Sequence, residues 1–454
     1  MGDGGAKLFG FFATIYLART LGVEQFGMLS FALSLLGIFA WFTDLGINTV
    51  ATREIAAPLN NNRAKAADFF WLKLILSLIV MLIAALIIWF VFAEQPVIRT
   101  LCLLFILVLL PQSLQTDWYY NGVQKFQWIT MGRWIQGIIY LGGILMIISS
   151  EDLLLVPLIY AISVLMSSCA MIAVMQNPGK LLFVPVKSVW RRILKSGVKL
   201  GTGSFIAQAG VLLPYVLLKY FHTEEIIGYY SAAFKIILVM MLADRVLFTL
   251  LLPNLSIKWK SKNANLPLLF NRLTKWLMTA GSAGALLVIF TAEPVIEFLF
   301  GSEYLPAAPM LVILSMFLPA TFVNTVFMHA LITAGEDTRY LKATIRGGIL
   351  AVALMVSAAA AAPLEVFIAS VAVSEILFAF FSWREFKMIL KTASAKIVFI
   401  SAFNLLFSIV VFYLLLPDLV IAGISSILCF TAFTSLFRVI TISDLQWLLR
   451  QVKS

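Results

Sequence analysis

Apolar runs of 18 or more residues recur from one end of the chain to the other, and this constrains the fold more than any other feature. A run such as "FFWLKLILSLIVMLIAALIIWFVF" (69–92) is long enough, as a helix, to cross a hydrocarbon layer of about 30 Å. Lipid offers no water to satisfy backbone N–H and C=O groups, so each spanning segment must close its hydrogen bonds internally as a helix. Composition agrees: 62% of the 454 residues are hydrophobic and 12% charged, with a mean hydropathy of +1.00, outside the range of soluble domains. The expected class is an all-α integral membrane protein.

Apolar runs bounded by charges place fourteen helices at roughly 7–20, 26–50, 69–93, 98–118, 128–150, 153–175, 195–219, 226–252, 270–293, 306–334, 340–362, 365–386, 394–416 and 420–440. With the N-terminus inside, all cations except Arg19, Arg99, Lys219, Lys235 and Arg245 fall on one side of the membrane. The net charge of +11 is then a topology signal that puts both termini in the cytoplasm, and no nucleic-acid partner is expected. The cysteines (102, 169 and 429) lie in apolar runs without CxxC spacing, and the only histidines are 222 and 329, so no metal site is expected.

The hydrophilic stretch "QNPGKLLFVPVKSVWRRILK" (176–195) divides the chain and prompts a search for a repeat. At an offset of 201, "VEQFGMLSFAL" (23–33) lies over "TEEIIGYYSAAF" (223–234), matching Glu24 to Glu225, Gly27 to Gly228, Ser30 to Ser231 and Ala32 to Ala233. A second echo, "AEQPVI" (93–98) against "AEPVI" (292–296), has nearly the same offset. An even number of helices separates the copies, so both halves cross in the same sense, as a parallel repeat about the membrane normal. The expected organisation is an N-lobe (1–176, helices one to six), a cytoplasmic linker (177–194), a C-lobe (195–388, helices seven to twelve), then two further helices and a cytoplasmic tail (389–454). Two equivalent lobes suit alternating access by a transporter better than they suit an enzyme.

"LARTLGVEQFG" (17–27) followed by "DLGINTVATREIA" (44–56), with "GYYSAAFK" (228–235), "LLPNLS" (251–256) and "FGSEYLPAAPMLVIL" (300–314), resembles the Wzx-type polysaccharide flippases. These form a branch of the multidrug/oligosaccharidyl-lipid/polysaccharide exporter superfamily. The resemblance implies a V-shaped bundle of two six-helix lobes plus two C-terminal helices, in the bacterial inner membrane. It implies a cargo of undecaprenyl-pyrophosphate-linked oligosaccharide carried to the outer leaflet for O-antigen, capsule or exopolysaccharide synthesis. It also implies coupling to a proton or sodium gradient, a monomeric chain, and a polymerase and chain-length regulator as partners. The opening of the chain departs from the family: its first run has about 13 apolar residues, short of the roughly 17 needed to span, where the family has more preceding sequence. "YLARTLG" offers no signal-peptidase-like site, so a cleaved leader is not expected.

Ionisable groups at membrane depth are the default functional candidates, because burying them is costly. Lys235 lies nine residues into the eighth helix, roughly 14 Å deep, as a ligand for phosphate or carboxylate or as one half of an internal pair with Glu375. Glu375, near the middle of the twelfth helix, reads as a proton-coupling carboxylate or a structural acid. Arg245, beside Asp244, is the repeat partner of Asp44, which suggests either a lock between lobes or local pairing at helix ends. Two polar stripes suit a shared cavity or packed helix contacts: Ser34, Trp41, Asp44 and Asn48 on the second helix, and Ser204, Gln208, Tyr215 and Lys219 on the seventh. Arg53, Arg133 and Arg346 read as topology cations or as vestibule cations that gather a pyrophosphate. "DWYYNG" (117–122) reads as an interfacial aromatic belt, and Arg19 is expected to pair locally with Glu24. The competing functions are an ion-coupled small-molecule or multidrug antiporter, which would favour an acidic cavity, and a membrane enzyme, which would need catalytic groups that this sequence does not present.

Overall fold

The computed structural model describes residues 2–57, 65–183, 185–243, 255, 259, 261, 265–392, 394–415 and 419–436. Every regular element among them is helical. Nine described segments are long and apolar enough to span a membrane by length and composition alone. By packing, the chain divides into two compact units, Met1–Ser231 with Leu299–Glu303, and Ala232–Phe298 with Tyr304–Ser454. That division falls inside a helix and leaves the lobe boundaries at 176 and 388 as a matter of topology.

In the first unit, α1 (Gly2–Asp44) is two helical arms, 2–21 and 23–44, joined at Gly22 with φ 78° and ψ 173°. Only glycine reaches that backbone region freely, so the opening motif is the kink between the two arms. The second arm stops earlier than the apolar pattern suggests, because Leu45 and Gly46 both have positive φ. A separate short helix, α2 (Ile47–Ala56), follows and carries Arg53. The run at 98–118 is likewise broken, into α4 (Pro96–Leu107), α5 (Leu109–Ser113) and α6 (Asp117–Gly122). Hydropathy does not place such breaks: the turn at Val108 lies inside an apolar run, and the polar stretch 112–117 reads equally as the end of a spanning run.

The helix α3 (Ala66–Val91) is apolar on its outer face, where Leu82, Leu86 and Phe90 are exposed, and polar inside, where Asp68, Lys73 and Ser77 are buried. That is the inverse of a soluble helix and is what a lipid-facing element requires. Asp68 accepts the Lys65 N–H (2.7 Å) and the Val186 N–H (2.6 Å), so one buried carboxylate caps α3 and ties down the linker. The helix α7 (Phe126–Ile144) packs between α1 and α8 (Leu155–Ala173). The long helix α9 (Lys187–Phe221) closes the unit; Gly197 and Gly201 admit the Leu45–Gly46 turn, where a Cβ on Gly46 would lie 2.3 Å from the Gly197 carbonyl.

The repeat is physical. The 23–44 arm crosses α10 (Glu224–Met240) so that Ser30 Oγ and Ser231 Oγ are 2.7 Å apart, a hydrogen bond between residues at the offset of 201. A Cβ on Gly27 would fall 1.9 Å from the Glu224 carbonyl oxygen, and one on Gly228 would fall 2.3 Å from that of Val23. Each of these contacts is the other's image under the offset, so the two segments meet about a local two-fold.

The second unit contains α11 (Leu266–Phe300), α12 (Ala307–Ser315), α13 (Phe317–Thr333), α14 (Asp337–Ala361) and α15 (Leu364–Lys387). The last pair, α16 (Ser394–Leu414) and α17 (Leu419–Leu436), docks on α11 through Ala285, Leu286 and Ile289 against Leu405, Phe412, Ala422 and Phe430.

Candidate functional site

Lys73, on the polar face of α3, borders a small hollow in the first unit. Lys73 Nζ donates to Asn48 Oδ1 (3.0 Å), and Asp44 Oδ1 accepts the Asn48 N–H (3.1 Å). The break at Leu45–Gly46 produces this grouping, because it lets Asp44 act on the first turn of the next helix. The hollow holds about 80 Å³ and is bordered by Asp44, Asn48, Lys73, Gln112, Gln115 and Asp117. Gln112, Gln115 and Asp117 also line a larger cavity of about 400 Å³, which continues past Arg133, Gln136, Tyr140, Tyr160 and Ser167.

Arg133 and Asp117 form an ion pair at 3.2 Å. Tyr160 lies within hydrogen-bonding reach of Gln136 and meets the Tyr140 ring edge-on at 5.3 Å. Ser167 Oγ donates to the Gly132 carbonyl (2.7 Å). Two cations, Lys73 and Arg133, stand beside two carboxylates, Asp44 and Asp117, so the combined space is polar with its charges balanced.

The sequence candidates are dispersed. Asp44 and Arg133 line this space, and Arg53 is exposed on α2. On α9, Gln208 is exposed, while Tyr215 is buried with its ring 5.1 Å from Tyr230. Lys219, at the end of that helix, is ion-paired to Glu224. Burial pushes the Glu224 carboxyl up, but the Lys219 ammonium and the residue's own backbone N–H outweigh it and hold the carboxyl below the usual range. Arg245 and its neighbour Asp244 lie outside the described residues.

Lys235, in the second unit, is partly buried and has no hydrogen-bond or ion-pair partner among the described residues. The pairing with Glu375 considered above does not form; Glu375 accepts a hydrogen bond from Asn324 Nδ2 (2.9 Å) instead. Two other expectations are corrected. Trp118 and Tyr120 of "DWYYNG" are each 1% exposed, and Tyr120 donates to the Met171 carbonyl (2.6 Å), so these rings are core rather than an interfacial belt. Arg19 donates through Nε to the Leu299 carbonyl (2.9 Å) in the last turn of α11, where helix carbonyls favour a cation, rather than pairing with Glu24.

Sequence reasoning missed Lys73, Gln112, Gln115, Asp117, Gln136, Tyr140 and Tyr160 as a group. Lys73 was counted among the topology cations, although a lysine inside "WLKLILSLIV" is itself an intramembrane charge. The amides and phenols carry no charge and lie on helices that meet only in three dimensions.

A family model described as "Polysaccharide biosynthesis protein" matches residues 1–256. The "Putative O-antigen transporter" of Escherichia coli (strain K12) is 21% identical over 355 residues, covering 75% of this chain and 83% of that protein. Among solved structures, the lipid II flippase MurJ in an inward closed conformation superposes with a TM-score of 0.73 at 14% identity, covering 96% of this chain and 97% of its own. An inward-facing multidrug resistance MATE family transporter of the MOP superfamily gives a TM-score of 0.69 at 15% identity, covering 85% and 94%. Identities this low speak to the fold alone, and that fold is one of integral membrane transporters.

Proposed function

The chain belongs to the polysaccharide biosynthesis protein family, and from that premise we propose that it is a flippase carrying undecaprenyl-pyrophosphate-linked oligosaccharide from the cytoplasmic to the outer leaflet. It is a multi-pass membrane transporter and not an enzyme. The observation that carries the finer reading is Lys235, a cation within a helix of the bundle that no described acid neutralises. A part-buried ammonium at membrane depth without a counter-ion is costly to keep; a pyrophosphate would supply the missing charge during transport, whereas a cationic drug would be repelled. That sign argues against the multidrug alternative. The names of its relatives, an O-antigen transporter candidate and a lipid II flippase, support the same class of cargo.

In this reading both termini face the cytoplasm, Glu375 serves ion coupling, and the outer product passes to a polymerase with its chain-length regulator. The test is leaflet-resolved analysis of polyprenyl-linked glycans in a strain carrying only this flippase. Deletion is expected to trap the glycans on the inner leaflet. Lys235→Ala is expected to slow translocation at least tenfold at normal expression, and Lys235→Arg to retain most of it. Glycans that still reach the outer leaflet at the normal rate after deletion would overturn the flippase reading, and full activity in Lys235→Ala would remove Lys235 from it.

A further inference from the structure

We propose that the cavity within the first unit is a carbohydrate-binding subsite that holds a sugar of the cargo's glycan while the pyrophosphate is held elsewhere. The proposal rests on the flippase reading and adds to it a place and a chemistry for glycan recognition.

A volume of about 400 Å³ is at the small end of ligand sites, roughly 300–1,000 Å³; it suits one or two sugar rings and is too small for a whole lipid-linked oligosaccharide. The lining selects the class of ligand. Arg133 is neutralised by Asp117 at 3.2 Å, and Lys73 shares its hollow with Asp44 and Asp117, so there is no surplus charge to hold a phosphate or an organic cation. Among the other lining residues, Gln112, Gln115, Gln136 and Ser167 with Tyr140 and Tyr160 offer donors and acceptors on neutral side chains together with aromatic faces, beside the apolar Val164 and Met171. A neutral polyhydroxylated ring uses both the polar groups and the apolar and aromatic faces, whereas an acyl or prenyl chain would leave the amides, the hydroxyls and the Arg133–Asp117 pair unmet.

One group asks for such a ligand directly. Gln112 Oε1 is shielded from solvent and accepts no hydrogen bond from any described residue. Leaving a buried acceptor unmet is costly; Gln112 also borders the cavity, so rotation of its amide would bring that oxygen to a sugar hydroxyl. The space also follows α7 from Arg133 through Gln136 to Tyr140, seven residues or about 10 Å along the helix axis. It therefore runs lengthwise along α7.

The discriminating variant is Gln112→Met, which keeps the side chain's length and removes an amide oxygen that no protein donor uses, so folding should be unaffected. The experiment is saturation-transfer NMR on the full chain in nanodiscs with free glucose, galactose, mannose, rhamnose and N-acetylglucosamine as probes, alongside the leaflet assay. At least one sugar is expected to receive saturation from the wild-type chain, and Gln112→Met and Tyr160→Phe are each expected to reduce that transfer at least fivefold with an unchanged thermal midpoint. If Gln112→Met lowers the midpoint, Tyr160→Phe alone decides. The proposal is overturned if no probe sugar exceeds a glycerol control, if the variants bind as wild type does, or if tetraphenylphosphonium displaces the sugar signal from the wild-type chain. In the leaflet assay, Gln112→Met moving glycans at the wild-type rate would refute the subsite and leave the flippase standing. Normal translocation after deletion of the gene would refute the flippase reading without touching the sugar-binding result.

Discussion

Gly27→Ala tests the repeat-related crossing with the smallest possible perturbation, one methyl group. Its Cβ would sit 1.9 Å from the Glu224 carbonyl oxygen, about 1.1 Å inside the 3.0 Å limit that real Cβ contacts respect. The obstacle is backbone, which no rotamer change can move, so the two segments must separate along their length. That separation would stretch the Ser30–Ser231 hydrogen bond, now 2.7 Å. Overpacking of this kind costs about 1–3 kcal/mol, and loss of the buried hydrogen bond adds about 1 kcal/mol. In a purified chain scanned at a fixed rate, this corresponds to a fall of roughly 2–6 °C in apparent Tm.

The two-fold character of the contact makes a second demand. Gly228→Ala meets the image obstacle, the Val23 carbonyl at 2.3 Å, so the first substitution already opens the space the second one needs. The double variant should therefore cost less than the two singles together, with a coupling of about 0.5–3 kcal/mol. A Gly27→Ala chain as stable as wild type, or two singles that simply add, would refute the reasoning.

Two further outcomes follow from ties at the two ends of the first unit. Asp68→Ala leaves the Lys65 and Val186 N–H groups without their acceptor; at about 1–3 kcal/mol for each buried orphan, it should lower the apparent Tm and speed limited proteolysis within 176–190 at least tenfold, and an unchanged cleavage rate would disprove the tether. Lys219→Met should cost about 1–2 kcal/mol near pH 7; because the Glu224 carboxyl is held below its ordinary value, that contribution is fully present above the unfolded carboxyl pKa of about 4.3 and lost as pH falls through the lower folded value. Melting curves of the two chains should stay parallel from pH 7 to 5 and converge below about pH 4, and a gap that persists at pH 3 would show that the pair is not the source.

What the sequence revealed and what it hid have physical causes. Lipid forces every spanning run into a helix, so fold class and topology follow from hydropathy. The offset of 201 was visible in Gly27, Gly228, Ser30 and Ser231 because a tight crossing tolerates few alternatives at those positions. Hydropathy could not show the turn at Leu45–Gly46, which is set by two positive φ angles, or the break at Val108, which lies inside an apolar run. Trp118 and Tyr120 were misplaced because aromatic rings serve the membrane interface and the protein core alike, and only packing decides between them. The cavity in the first unit was half legible, through Asp44 and Arg133, because charge in an apolar run stands out while glutamine and tyrosine do not.

The hydrogen bond between Ser30 and Ser231 also bears on ancestry. In a symmetric homodimer, a residue on the rotation axis meets its own copy, and a substitution there changes both sides of the interface together. Gene fusion ends that constraint, since each copy then mutates separately. Here two serines at equivalent positions of the repeat face one another, flanked by two glycines that each clear the other segment's backbone. The crossing thus has, inside one polypeptide, the symmetry of an interface between two identical partners, and a half-length chain ending before the linker would expose that surface.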